Sequence, residues 1–318
     1  MSTATAPTPI SAALAAAATR NPDAGHRIRL TIGYTIAFAL IVGILAYGFD
    51  YYMAGAADRP FMAKHALLKP SGRIGVKLGL LGFAMFLAIF LYPLRKAWPW
   101  LGRQGISRHW LDFHVLLGLS APFVIALHSS FKFHGFAGIA FWIMLAVSIS
   151  GVVGRYLYGQ IPRRVNAAEF SRKELQELQD KMAQQLAEQN LLREADVRSS
   201  LRLPSPQTVD KLPAAVALVY MFLLDLARPF RIAGLRRGAI SGSECITTLG
   251  GLLPTRHAEL ERAIAVARAE AALSKRILFL SRTQQVFHLW HVVHRPFSYT
   301  FAFLALLHIG VVLMMGYF

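Results

Sequence analysis

Five apolar stretches, each close to 20 residues long, constrain the fold of this chain more than any other feature. A bilayer core about 30 Å thick needs roughly 20 apolar residues, because a helix rises about 1.5 Å per residue. The composition agrees, since 55% of the residues are hydrophobic and only 16% are charged. The sequence therefore predicts an all-α, polytopic membrane bundle with about five transmembrane helices. The expected spans are residues 30–49, 78–94, 110–130, 136–156 and 297–318.

These stretches divide the chain into four regions. Residues 1–25 are rich in Ala, Thr and Pro and predict a disordered tail. Residues 26–156 hold the first four spans, and residues 287–318 hold the fifth. The region between them, residues 157–286, has a more polar composition and predicts a helical cytoplasmic insertion.

The insertion shows helical patterns of two kinds. Apolar residues at helical spacing predict an amphipathic helix at Ala167–Ala195 and a second one at residues 257–283. Residues 213–230 are more apolar but contain Asp225 and Arg228, which favours a helix on the membrane surface over a sixth span. Residues 234–254, with Gly and Ser, are expected to form a loop.

The distribution of Lys and Arg predicts the orientation of the spans. The flank before the first span, the turn at residues 95–108 and the segment after residue 156 are basic, and basic loops stay on the cytoplasmic side. The N-terminus and the insertion are therefore expected in the cytoplasm of a bacterium, with the C-terminus in the periplasm. The loop at residues 50–77 is the exception, because it also holds five Lys or Arg. The net charge of +17 is expected to reflect Lys and Arg in the cytoplasmic segments, because no nucleic-acid motif accompanies it. The expected partners therefore include membrane lipid and exclude nucleic acid.

Two pairs of histidines share one spacing. His114 and His128 belong to the third span, while His294 precedes the fifth span and His308 lies within it; both pairs are 14 residues apart. Fourteen steps of about 100° fall about 40° short of four turns, so each pair faces one way, about 21 Å apart along the axis. Both spans are expected to run from the cytoplasmic to the periplasmic side. His114 and His294 then lie at the inner level, and His128 and His308 at the outer level.

This pattern is the one needed to hold two stacked b-type haems, each between two histidines. A histidine inside a span is costly and usually functional, although a single one can be a packing residue. The one cysteine, Cys245, excludes a covalently attached c-type haem and a four-cysteine iron–sulfur site. With both axial positions filled, the expected chemistry is electron transfer and not oxygen activation.

On these histidines the chain resembles the ferric reductase-like transmembrane family, which includes the membrane part of the NADPH oxidases. In that family two helices separated by one other each carry two histidines at this spacing and bind two haems b. The resemblance covers residues 30–156 and 286–318. It implies transmembrane electron transfer by the membrane subunit of an oxidoreductase. Because the chain has no dinucleotide fingerprint, a separate flavoprotein, iron–sulfur protein or quinol is the expected partner inside, with a cytochrome c type carrier outside.

Three other residues are candidates for cofactor contact. His291 is 17 residues from His308, a spacing with no equal on the third span, so His294 is preferred as the ligand. His291 is a candidate for contact with a haem propionate or a quinone, or for a position at the membrane interface. Arg155 and Arg295 could each pair with a propionate, or could merely set orientation. The remaining histidines outside the spans are expected to be solvated: His26, His65, His109, His134 and His257.

Two alternative functions remain open from the sequence. One is a quinol-oxidising cytochrome b anchor, like the membrane subunit of respiratory nitrate reductase. The other is a non-redox membrane scaffold or transporter whose histidines bind a metal or relay protons. Buried carboxylates in the middle of a span would favour the last, but Asp112 stands at a span end.

Overall fold

A computed structural model describes residues 24–161, 177, 203–239 and 248–316. These residues form helices and turns, with no strand among them. The tail predicted for residues 1–25 lies outside the described residues apart from its last two. The helix predicted at Ala167–Ala195 also lies outside them, apart from Glu177.

Five of the described helices are long and apolar enough to cross a membrane, which confirms the predicted all-α, multi-pass fold. Two consecutive helices, His65–Leu68 and Arg73–Ala97, together form the second span. The five spans are α1 (Ala24–Tyr47), α3–α4 (His65–Leu68 and Arg73–Ala97), α6 (Ser107–His128), α7 (Gly135–Gln160) and α11 (Leu280–Met314). The other helices are α2 (Phe49–Met53), α5 (Pro99–Gly102), α8 (Pro206–Lys211), α9 (Ala214–Ala239) and α10 (Ala258–Leu278), with a 3-10 turn at Arg59–Phe61.

Four predicted boundaries were wrong, the first being the start of the second span, which lies at His65 and not at residue 78. The fifth span begins at Leu280, because Pro296 lies inside one continuous 35-residue helix and does not start it. The loop expected at residues 234–254 begins later, since α9 continues to Ala239. The helix expected at residues 257–283 is two helices, because Phe279 leaves helical geometry with φ −95° and ψ 8°.

The described chain forms two compact units. The first contains the residues up to Val152 together with those from His294 onward, and the second contains Val153–Val293. In the first unit, side chains of α4, α6 and α7 meet in one apolar core that includes Met85, Leu127 and Phe141. The large apolar side chains that remain exposed on these spans are the expected lipid-facing surface.

The C-terminal end of α6 is fixed by an unusual turn. Ser130 and Phe131 have φ values of 51° and 58°, a left-handed conformation that costs free energy for residues other than Gly. Surrounding bonds offset that cost: the Ser130 hydroxyl donates to Leu68 O at 2.7 Å, and Arg59 donates to Ser130 O at 2.6 Å. Since His128 lies two residues earlier, these bonds also fix its place at the end of the helix.

In the second unit, α9 and α10 are joined by apolar contacts and by buried ion pairs. Ile232 on α9 packs with Leu260 and Ile264 on α10, which belong to the apolar stripe that the sequence predicted. Arg236 donates to both carboxylate oxygens of Glu261, at 2.8 and 2.6 Å. Such a bidentate pair fixes both the distance and the rotation of the two helices at this point.

Candidate functional site

His114 is anchored to α4 through a carbonyl that a proline has left without its helical partner. Pro93 has no N–H, so the carbonyl of Ile89, four residues before it, cannot form the usual helix bond. His114 Nδ1 lies 3.0 Å from this oxygen. A carbonyl only accepts hydrogen bonds, so Nδ1 must carry the proton, and Nε2 of the neutral ring is the nitrogen with the lone pair.

His128 is held by the same helix in the same way. Its Nδ1 donates to the carbonyl of Gly75 at 2.8 Å, which again assigns the lone pair to Nε2. Gly79, one turn along α4, lets the ring approach closely: a Cβ at this position would lie 2.7 Å from His128 Cε1. The ring is thus fixed by a hydrogen bond on one atom and by backbone packing on its side.

The two anchors on α4 repeat the spacing of the two histidines on α6. Gly75 and Ile89 are 14 residues apart, as are His114 and His128. The two helices therefore run in opposite directions and meet in register at two depths about 21 Å apart. At each depth, one imidazole of α6 carries its proton on Nδ1 and donates it in a hydrogen bond to α4.

His294 on α11 is fixed by a hydroxyl of α7. Its Nδ1 lies 2.7 Å from Ser150 Oγ, and Ser150 Oγ itself donates to Val147 O at 2.8 Å. A hydroxyl has one proton, so Ser150 donates to Val147 and accepts from Nδ1 of His294. Nε2 is then the unprotonated nitrogen in His294 as well.

His308 lies near His128, close enough for the two rings to interact electrostatically. His308 is partly buried and hydrogen-bonds no described residue. Midway between His294 and His308, Phe301 packs edge-on against Phe86 of α4, with ring centroids 5.7 Å apart. Along α11, His294 thus contacts α7, Phe301 contacts α4, and His308 lies near His128 of α6.

The stretch of α7 around Ser148–Gly151 links the two helices that carry the histidines. Ser148 donates to the carbonyl of Gly118 at 2.7 Å, an oxygen left without its helical donor by Pro122. Two residues further on, Ser150 accepts from His294. Gly118 is one turn from His114, so α6 and α11 run in the same direction, with His294 towards the His114 end and His308 beside His128.

No protein-family model, curated protein or solved structure matches this chain.

Three of the four histidines present the donor atom that a bis-histidine haem site needs. Haem iron binds the unprotonated nitrogen of a neutral imidazole, and a second hydrogen bond from the other nitrogen normally sets the tautomer. His114, His128 and His294 have that arrangement. No group of three or more His, Cys, Asp or Glu that could bind a bare metal ion occurs among the described residues.

The other candidate residues have less specific surroundings. His291 belongs to the second unit, where its Nδ1 donates to Phe287 O at 3.1 Å and its ring packs edge-on against Phe287 and Trp290. Arg155 is also in the second unit and is partly buried, whereas Arg295 is in the first unit and is exposed. None of these contacts identifies a propionate or a quinone.

The prediction that His26 is solvated was wrong. His26 is only 4% exposed; its Nε2 lies 3.0 Å from Asp112 Oδ2, and its ring stacks on His109 with centroids 3.6 Å apart. Nδ1 of His26 is buried without a hydrogen-bond partner among the described residues. The one signal in the sequence was Asp112, a carboxylate five residues into α6 that needs a partner when buried. His134 is exposed, as predicted.

Proposed function

We propose that this chain is the membrane subunit of a multi-protein oxidoreductase, holds two haems b and carries single electrons across a bacterial inner membrane. His114 and His294 would ligate the inner haem, and His128 and His308 the outer one. The observation that carries the proposal is the matched anchoring of His114 and His128 to carbonyls 14 residues apart on α4. Packing alone gives no reason for His114 and His128, at two depths, to carry their proton on the same ring nitrogen. The resemblance to the ferric reductase-like family supports the same ligand set.

The chain's own residues would do three things in this function. Two imidazoles would hold each haem iron and would leave no position open for dioxygen. Ile89 O, Gly75 O and Ser150 Oγ accept hydrogen bonds from Nδ1–H of the three rings, which fixes the rings and would make Nε2 a better ligand atom. Each haem, when bound, supplies a one-electron couple.

The test is an optical spectrum with a haem determination on the purified full chain. We expect b-type bands at about two haems per chain. His114→Ala and His308→Ala should each reduce the content to about one haem, because each removes an axial ligand of a different haem. His134→Ala, which changes an exposed histidine, should keep both. Purified protein without haem would end the proposal.

The electron donor is proposed to be a separate flavoprotein, iron–sulfur protein or quinol at the inner haem, with a periplasmic cytochrome c type carrier at the outer one. The insertion at residues 157–286 is the proposed docking platform for the inner protein partner. Deletion of residues 167–283 should abolish copurification of that partner. A deletion variant that still binds both haem and partner would contradict this role.

A non-redox transporter is the second candidate, favoured by one observation. Asp112 is only 8% exposed within α6 and pairs with His26, an arrangement that suits proton movement in a membrane. The same spectrum decides between the candidates, because a transporter of this kind has no need of haem. A haem-free protein with proton-coupled transport that fails in Asp112→Asn would establish it.

A further inference from the structure

The second unit contains a cavity of about 370 Å³ between α9 and α10. This volume is within the range of small-molecule sites, about 300–1,000 Å³. Its lining has five cationic side chains and a single carboxylate, that of Asp225. The cationic residues are Arg228, Arg236, Arg268, Lys275 and Arg276.

The cationic side chains are arranged regularly on the two walls. Each helix contributes two arginines eight residues apart: Arg228 and Arg236 on α9, Arg268 and Arg276 on α10. Eight residues advance about 12 Å along a helix. Between the arginines of each wall stands a smaller apolar residue, Ile232 on α9 and Ala272 on α10. Positive charge is therefore distributed along both walls of the cavity, with Ile232 and Ala272 between the arginines.

Among the side chains that the structure describes at this cavity, the charges do not balance. Asp225 is engaged by Lys275 Nζ at 2.6 Å and by Arg228 at 3.3 Å, and Glu261 is engaged by Arg236. With both carboxylates counted against the five cations, three positive charges remain in excess. Arg268 and Arg276 pair with no carboxylate among the described residues. Clustered like charges around a partly enclosed space repel one another unless an anion joins them.

A neutral polar group at the cavity also lacks a partner. Gln160 Oε1 is buried without a hydrogen bond to any described residue. A side-chain amide has one acceptor oxygen and an NH₂ group with two donors, so Gln160 can offer either to a ligand. The amide suits a ligand with oxygens, such as a phosphate ester, as well as a ligand with hydroxyls.

We propose that this cavity binds a multiply charged phosphate, either the diphosphate of a soluble molecule or the headgroup of an anionic phospholipid. Guanidinium forks bind phosphate oxygens in pairs, and an excess of three positive charges matches a diphosphate. The inference does not depend on haem, because every lining residue belongs to the second unit.

The test is calorimetric titration of inorganic pyrophosphate into the full chain in nanodiscs of phosphatidylcholine. The variant Arg268→Gln/Arg276→Gln should weaken binding at least tenfold, since it removes two charge-assisted contacts. The matched control is Arg237→Gln/Arg256→Gln, which removes the same charge from exposed positions outside the cavity. Ala272→Phe, which fills the cavity at unchanged charge, should also abolish binding and serves if the double variant fails to fold.

A second arm identifies the source of the phosphate. Nanodiscs with one-fifth cardiolipin are used, and lipid retained by the protein is measured by native mass spectrometry. Pyrophosphate binding that the cavity variants weaken indicates a soluble ligand. Cardiolipin retention that only the cavity variants lose, without pyrophosphate binding, indicates a headgroup. Absence of both, or equal loss in the cavity and control variants, overturns the proposal.

Discussion

At the scale of single residues, the most informative contact is that of His114 with the carbonyl that Pro93 leaves unpaired. Pro93→Ala should restore an N–H that competes for Ile89 O and weakens the bond from His114 Nδ1. A less basic imidazole stabilises an oxidised haem less, so the midpoint potential of the proposed inner haem should rise. A hydrogen bond of about 1 kcal/mol corresponds to roughly 40 mV for one electron. Spectroelectrochemical titration of the two haems measures the shift.

Pro122→Ala is the matched control for this prediction. It also restores an N–H inside a span, but the carbonyl concerned, Gly118 O, accepts from Ser148 and not from a histidine. Both potentials should therefore remain close to those of the wild type. An equal rise in the two variants would mean that helix geometry, and not the bond to His114, sets the potential.

Gly79 supports a second prediction at this scale. In Gly79→Ala the new methyl group would lie 2.7 Å from His128 Cε1, so the ring must move away from its bond with Gly75 O. Such overpacking costs about 1–3 kcal/mol. The thermal midpoint should fall, and the electron paramagnetic resonance signal of the outer haem should shift. Gly43→Ala on α1, where a Cβ meets nothing within 4 Å, should change neither; an unshifted signal in Gly79→Ala would count against His128 as a ligand.

The sequence identifies only one of the two partners in the proline-related contacts. Pro93 and Pro122 identify Ile89 and Gly118 as helical carbonyls without their usual donor. The sequence does not say which neighbouring side chain donates a hydrogen bond to these carbonyls, because that depends on how the spans are arranged around one another. The equal spacing of the histidines could be read directly, whereas the pairing of His26 with Asp112 required α1 to lie against α6.

At the scale of elements, the pair of Arg236 and Glu261 predicts how the packing of α9 on α10 responds to pH. Burial alone would raise the pKa of Glu261, but bonds from Arg236 and Thr255 outweigh it and lower the pKa below its ordinary value near 4.5. A carboxyl with a lowered folded-state pKa contributes stability above its unfolded pKa, and that stability is lost as pH falls through the folded pKa.

Glu261→Gln should therefore destabilise the protein at pH 7 by about 1–3 kcal/mol, because Arg236 loses its charged partner. At about pH 3 the difference from the wild type should shrink, since protonation weakens the same pair in the wild type. Thermal unfolding in detergent at the two pH values measures both differences. A difference that stays the same at low pH would contradict an ionic contribution from Glu261.

Helix identities were predictable at this scale, and helix ends were not. All five spans follow from apolar length, because the bilayer imposes that length on any crossing helix. The start of α11 was missed because residues 280–296 are not apolar enough for a span, yet they continue the same helix. Similarly, α9 extends to Ala239 through Arg236, whose side chain is engaged by Glu261 and by backbone carbonyls at residues 251 and 252.

At the scale of the whole molecule, the loop at residues 50–77 argues less strongly against the proposed orientation than its five Lys or Arg suggest. Arg59 donates to the carbonyls of Tyr52, Ala54 and Ser130, and Lys64 binds Tyr47 O and Asp50. The hydrogen bond from Lys64 lowers the pKa of Asp50 below its ordinary value. Two of the five cations of this loop therefore have structural roles. These roles account for two of the basic residues on the periplasmic side, where the positive-inside rule expects few.

The orientation can be tested with single cysteines in a Cys245→Ser background. Arg103→Cys, in the exposed turn between the second and third spans, should react with a membrane-impermeant maleimide only after the cells are permeabilised. His134→Cys, in the exposed turn between the third and fourth spans, should react in intact cells. The turn at residues 95–108 holds four Lys or Arg and the turn at residues 129–134 holds one, and the more basic side stays inside. The opposite labelling pattern would place the proposed donor-side haem, at His114 and His294, on the periplasmic side.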